Sequence, residues 1–218
     1  MMKIDEINQS EVLKKGGDYT RYKSLELIAD IISTRDIFGD IAEAGVWKGD
    51  FASAMNMVFP SRKLYLYDTF SGFCEEDVEI EIRNGYTQKS YFEPEKGYAE
   101  IFKSESKEKF EEIVMGKMLH PENVVIRKGN FPETVLEEKE SQFAFVSLDM
   151  DIYRPMRDGL DFFWERLSPG GYILIHDYNT PVHSGVRKAV EEFETDNGFV
   201  PMIPLTDICG TLALTKPF

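Results

Sequence analysis

Five short stretches hold the side chains of this chain that could do chemistry. In Glu43-Ala44-Gly45-Val46-Trp47-Lys48-Gly49 an acid precedes two glycines, which lack a Cβ, bend at positive φ and admit a ligand close to the main chain. Asp68 follows about 20 residues after the glycine turn, the distance at which an acid on a second strand accepts hydrogen bonds from ribose hydroxyls. A helix cap or a solvated strand end is the competing reading of Asp68. Asp149-Met150-Asp151 and His176-Asp177 add three carboxylates and an imidazole, all of them ligating groups. In Gly129-Asn130-Phe131 the Asn130 amide and the Phe131 ring could border a purine, or the three residues could form a plain turn.

The elements around these clusters alternate in period. Apolar runs at roughly 40–45, 63–68, 124–126, 143–148 and 172–175 read as buried strands, and each ends in one of the polar clusters. Helical spacing of apolar residues marks helices at about 20–34, 50–58, 101–119, 132–139, 156–167 and 184–193. Ser168-Pro169-Gly170-Gly171 reads as a turn, and Phe199–Ile203 with Thr211–Leu214 as a closing pair of strands. Strands and helices in alternation form an α/β domain with a parallel sheet, whose ligands gather at the carboxyl ends of the strands. All the polar clusters therefore meet at one edge.

Two segments stand apart. Residues 1–19, polar and containing Gly16-Gly17, read as an N-terminal arm able to cover a site. Residues 71–100 are the least regular stretch, with the aromatics Phe73, Tyr86, Tyr91 and Phe92, and read as a lid over the crevice or as a satellite loop packed on itself.

The 218 residues suit one domain, and 42% hydrophobic with 29% charged residues is globular composition. A net charge of −14 opposes binding to nucleic acid or to an anionic membrane, because a phosphate surface is held by clustered Lys and Arg. An uncharged polyol or a cationic ligand fits better. Cys74 and Cys209 have no metal-site or disulfide spacing. The amino terminus lacks an apolar signal core, so a soluble cytoplasmic protein is expected. His120, ahead of Pro121, reads as a helix-end residue, and His183 as a solvated loop residue that could also join a site.

Taken together, Glu43–Gly49, Leu66–Phe73, Gly129–Thr134, Leu148–Tyr153 and Leu167–Tyr178 resemble the macrocin O-methyltransferase family of class I S-adenosylmethionine-dependent sugar O-methyltransferases. The resemblance covers about residues 40–195. It implies a Rossmann-like α/β fold, a seven-stranded, mostly parallel sheet with helices on both faces and an antiparallel last strand. It also implies S-adenosylmethionine as cofactor, with Glu43, Gly45, Val46 and Gly49 at its methionine end, Asp68 and Thr69 at the ribose, Asn130 and Phe131 at the adenine, and Asp149 nearby. A divalent metal, Mg²⁺ in the family, would be held by Asp149, His176 and Asp177, with Asp151 as general base. The expected partner is a small-molecule sugar or polyol acceptor, and a homodimer is left open.

In one place the chain departs from the family, which carries two adjacent acids where this sequence has His176-Asp177. An imidazole favours transition metals over Mg²⁺, and it leaves open a metal-free enzyme with His176 as base. A catechol-type O-methyltransferase and a non-catalytic cofactor-binding module are the alternative functions. A dinucleotide dehydrogenase is disfavoured, because Trp47 would crowd a pyrophosphate at the glycine turn.

Overall fold

The computed structural model describes residues 19–102, 107–135 and 141–218. In chain order the regular elements are α1 (Tyr19–Thr34), β1 (Asp40–Ala44), α2 (Asp50–Val58), β2 (Leu64–Asp68), α3 (Glu75–Arg83), α4 (Lys107–Lys117), β3 (Val124–Lys128), β4 (Phe143–Leu148), α5 (Tyr153–Arg166), β5 (Leu167–Ile175), α6 (Ser184–Asn197), β6 (Met202–Pro204) and β7 (Leu212–Thr215). The sheet has seven strands in the order β3-β2-β1-β4-β5-β7-β6. Strands β1 to β5 pair in parallel, and β7 runs antiparallel to both β5 and β6. The expected Rossmann-like fold is the one observed.

Strand alternation divides the core in two. Ile41, Leu64, Leu66 and Phe145 pack with α1, α2 and α4 on one face, while Ala42, Ala44, Val146 and Leu148 pack with α5 and α6 on the other. Glu43 lies on the same face as Ile41 by that alternation, so a carboxylate is buried at the carboxyl end of the central strand, 2% exposed. In register, Glu43 lies opposite Leu66 and Ser147, and Leu148 lies opposite Ile175. The tips of β1, β2, β4 and β5 consequently end level with one another.

Some elements differ from their sequence reading. The stretch at 71–100 contains the nine-residue helix α3, whose buried residues are Asp77 and Glu81 rather than an apolar stripe, so hydrophobic periodicity cannot reveal it. Glu81 accepts from the Tyr153 amide at 3.0 Å and from Thr87 Oγ1 at 3.0 Å, fastening α3 to the start of α5, where unpaired amides favour an anion. The turn expected at 168–171 is absorbed into β5, with a register shift opposite Phe143 and Phe145. Gly170 adopts φ +79° there and its amide donates to the Lys216 carbonyl. Of the helix expected at 132–139, a turn at Pro132 and a 3-10 turn at Glu133–Val135 are described and 136–139 lie outside the described residues, as do residues 1–18 of the arm.

Candidate active site

The glycine turn is built by Asp68. Its Oδ2 accepts the amides of Val46 at 2.7 Å and Trp47 at 2.8 Å, and its Oδ1 accepts the Phe70 amide at 2.6 Å. A carboxylate offers about four lone-pair sites, so one remains for a ligand hydroxyl. Gly45 sits at φ +83°, where a Cβ would come 2.0 Å from the Asp149 carbonyl oxygen. That glycine is required first by the close approach of the β1 and β4 tips. Gly49, at φ +75°, lies ahead of α2 against Val114 and lines neither cavity described below. Thr69 Oγ1 donates to the Gly72 carbonyl at 2.6 Å and closes the turn after β2.

Two cavities open at this edge. The first is lined by Asp68, Thr69, Asn130 and Phe131, with Phe73 and Phe102. The second is lined by Arg21, Glu43, Val46, His176, Asp177 and His183, among others. Gly45, Trp47, Phe102, Asp149 and Asp151 belong to both, forming their common wall. The sequence-derived site residues other than Gly49 thus gather around one joined space.

At the wall stands a dense charge network. Arg21 of α1 donates from Nη1 to Asp149 Oδ2 at 3.0 Å and from Nη2 to Ser147 Oγ at 3.2 Å, with its guanidinium 4.0 Å from the Phe51 ring centroid. His176 Nδ1 lies 2.8 Å from Asp149 Oδ1 and 2.9 Å from Asp177 Oδ2. Burial raises the Asp149 carboxyl, but His176 and Arg21 outweigh it and hold Asp149 far below the usual carboxylate range. Burial lowers the His176 imidazole and Arg21 adds to this, yet Asp149 and Asp177 hold it well above its ordinary value. Asp177 is likewise lowered, burial being outweighed by His176. Burial, Asp177 and Asp149 push Asp151 well above the usual range, so the two acids of Asp149-Met150-Asp151 are driven in opposite directions.

Glu43 is raised by burial, with Arg21 opposing and Asp149 and Asp68 adding to the rise. Its Oε2 has no hydrogen-bond partner among the described residues. An orphaned, buried carboxylate oxygen is costly, and the ammonium of a cofactor's methionine end is the kind of group that satisfies it.

Carboxylates and an imidazole are donor types that divalent ions take. The expected set of Asp149, His176 and Asp177 is joined through His176 Nδ1 at hydrogen-bond distances, and among the described residues it is not one of the groupings whose ligand atoms all lie within 4.8 Å of one another. Arg21 engages Asp149 Oδ2 and His176 engages its Oδ1, so both oxygens of Asp149 are already paired. One nitrogen among the oxygens suits Mn²⁺, Fe²⁺ or Zn²⁺ better than Mg²⁺. The groupings whose ligand atoms do all lie within 4.8 Å of one another are Asp151, Asp177 and His183, and His176, Asp177 and Cys209.

Two residues were missed as site residues in the sequence. Arg21 stands on the buried stripe of α1 with Leu25, Ile28 and Ile32, and a lone cation on an apolar stripe was the available signal. Tyr91, named there only as an aromatic of the irregular stretch, reaches the second cavity with its ring 5.1 Å from His183.

An open sheet of this strand order, with a glycine turn after β1 and acids at the tips of β2, β4 and β5, defines a class I Rossmann-like methyltransferase fold. The chain belongs to the macrocin-O-methyltransferase (TylF) family, whose model matches residues 17–213. It is 24% identical over 196 residues to the 8-demethyl-8-(2,3-dimethoxy-alpha-L-rhamnosyl)-tetracenomycin-C 4'-O-methyltransferase of Streptomyces olivaceus, covering 88% of this chain and 70% of that one. It is 26% identical over 169 residues to the mycinamicin III 3''-O-methyltransferase of Micromonospora griseorubida, covering 73% of this chain and 62% of that one. The solved structure of the O-methyltransferase NovP superposes with a TM-score of 0.69 at 18% identity, covering 91% of this chain and 80% of that one. Among the described residues no helix is long and apolar enough to cross a membrane.

Proposed function

We propose that this protein is an S-adenosylmethionine-dependent O-methyltransferase acting on a hydroxyl of a sugar or glycosylated small molecule. The observation that carries the reading is the common wall of the two cavities, where Gly45, Asp149 and Asp151 stand between a cleft lined by Asp68, Asn130 and Phe131 and an acid-lined one. The family and its sugar-methylating relatives support the acceptor class.

In this reading the first cavity holds the adenosine, with Phe131 and Asn130 beside the base and the remaining lone pair of Asp68 on the ribose. Glu43 receives the α-ammonium of the methionine end. S-adenosylmethionine, when bound, would supply its sulfonium methyl group to the acceptor oxygen and leave as the neutral thioether. Asp151 takes the proton of that hydroxyl, because its raised carboxyl is a stronger base than an ordinary carboxylate while it stands within the acid wall. Asp149, lowered and fixed by Arg21 and His176, stays ionised throughout. Asp149, His176 and Asp177 would be the residues to hold a divalent ion, and such an ion would supply a positive charge that lowers the pKa of a bound hydroxyl. The segment 71–100 covers the acceptor side, where Tyr91 and Tyr98 line the second cavity.

The test is transfer of a labelled methyl group from S-adenosylmethionine to a panel of methyl glycosides, deoxysugar glycosides and catechols, with calorimetry of S-adenosylhomocysteine in parallel. Label in a glycoside is expected. Label only in catechols reassigns the acceptor, and tight binding without transfer leaves a non-catalytic module.

A further inference from the structure

Tyr91 and Tyr98 line the acid-walled cavity on one side, and on the other they line a groove of about 580 Å³. Val182 is likewise shared by both, and the rest of the groove includes Tyr86, Thr87, Gln88, Ser90 and Ser184. No described residue of its lining is charged, although the chain as a whole carries −14. Phenol rings and small hydroxyl and amide groups offer apolar faces with donors and acceptors between them, the surface that a neutral polyol matches. Phosphates find no cation there. The volume falls within the roughly 300–1,000 Å³ of small-molecule sites.

The partition itself carries a polar group without a partner. The Tyr91 hydroxyl is buried and makes no hydrogen bond among the described residues, and Asp151 and Asp177 are near enough to act on it electrostatically. A buried hydroxyl without a partner is unfavourable, and a ligand hydroxyl that accepts from Tyr91 and donates to Asp151 would satisfy it. The ring is held edge-on to His183 and tilted against Tyr98 at 5.6 Å, so the wall is shaped by aromatic contacts rather than by ion pairs.

We propose that the groove beyond Tyr91 and Tyr98 seats a second, uncharged sugar unit of the acceptor, while the Tyr91 hydroxyl holds the unit being methylated beside Asp151. The inference rests on the methyltransferase reading and narrows it. The acceptor is a glycoside of at least two linked polyol units rather than a nucleotide-activated monosaccharide.

The test compares methyl glycosides of rhamnose, fucose, galactose and glucose with disaccharides extended by one unit and with the dTDP-sugars. It uses the full chain, its Ser90→Trp variant, in which an indole fills the groove, and Tyr91→Phe. The full chain is expected to show a kcat/KM at least tenfold higher for a disaccharide than for the matching monosaccharide. Ser90→Trp is expected to erase that advantage through KM while monosaccharide turnover stays within twofold. Tyr91→Phe is expected to lower turnover on both about tenfold with S-adenosylhomocysteine affinity unchanged. Equal use of both acceptors, a preference for dTDP-sugars, or an advantage that survives Ser90→Trp would overturn the groove. Absence of transfer to every sugar would count against the methyltransferase reading instead. Saturation-transfer NMR of the same disaccharides on the cofactor-loaded protein then decides the groove by itself. Saturation of the second sugar unit that disappears in Ser90→Trp upholds the groove, and identical spectra refute it.

Discussion

Arg21 Nη1 donates to Asp149 Oδ2 at 3.0 Å, joining the first helix to the tip of the fourth strand across 128 positions of sequence. The bond fixes which face Asp149 presents to the site. Removing one partner of a buried pair strands the other charge, at about 3 kcal/mol. Arg21→Met should therefore lower the melting temperature by roughly 6–12 °C. Combined with Asp149→Asn the loss should be smaller than the sum of the single losses, which scanning calorimetry of the four proteins would show. Additive losses would mean that the pair is not coupled.

Asp68 holds three backbone amides before any ligand arrives. Asp68→Ala is accordingly expected to weaken S-adenosylhomocysteine binding at least a hundredfold and also to lower the melting temperature of the protein without ligand. Calorimetric binding and thermal melting measured together test both halves. A variant with lost affinity and unchanged melting would leave Asp68 a ligand contact alone.

The pH dependence follows from Asp151. A proton acceptor must be ionised, and this carboxyl is raised by burial, Asp177 and Asp149, so activity disappears as pH falls through its elevated value. The ascending limb of kcat/KM should lie well above the ordinary carboxylate value of about 3.9. A limb at that ordinary value would point to a different base.

Metal preference should follow residue 176. With an imidazole nitrogen beside Asp149 and Asp177, Mn²⁺ is expected to bind more tightly than Mg²⁺, and His176→Asp should move the preference toward Mg²⁺. Mn²⁺ titration followed by electron paramagnetic resonance, with Mg²⁺ as competitor, gives both affinities without a turnover assay. An unchanged ratio in His176→Asp would place the ion away from residue 176.

Much of this was legible in the chain. The apolar runs ending in Asp68, Asp149 and His176-Asp177 give the parallel sheet and its functional edge, because buried parallel strands have no polar face to confuse the pattern. Helix α3 was hidden because its inward side carries Asp77 and Glu81, whose partners Arg154, Thr87 and the Tyr153 amide are not signalled by any local pattern. The double duty of Asp68 was hidden for a related reason. Spacing identifies an acid at a strand end, but only the folded turn shows which amides have already claimed its oxygens. Arg21 left a trace as a charge on an apolar stripe, while its partner Asp149 could be found only in three dimensions.

The proposed activity stands or falls on the acid wall facing a methyl donor and on Asp151 taking the acceptor proton. Both are probed by single-turnover transfer of labelled methyl from S-adenosylmethionine to a glycoside, by the unaltered protein and by Asp151→Asn. Transfer is expected in the first and a loss of about 10²–10⁴ in the second, with S-adenosylhomocysteine affinity within twofold. Equal rates in the two proteins, or no transfer by either despite bound cofactor, would contradict that assignment.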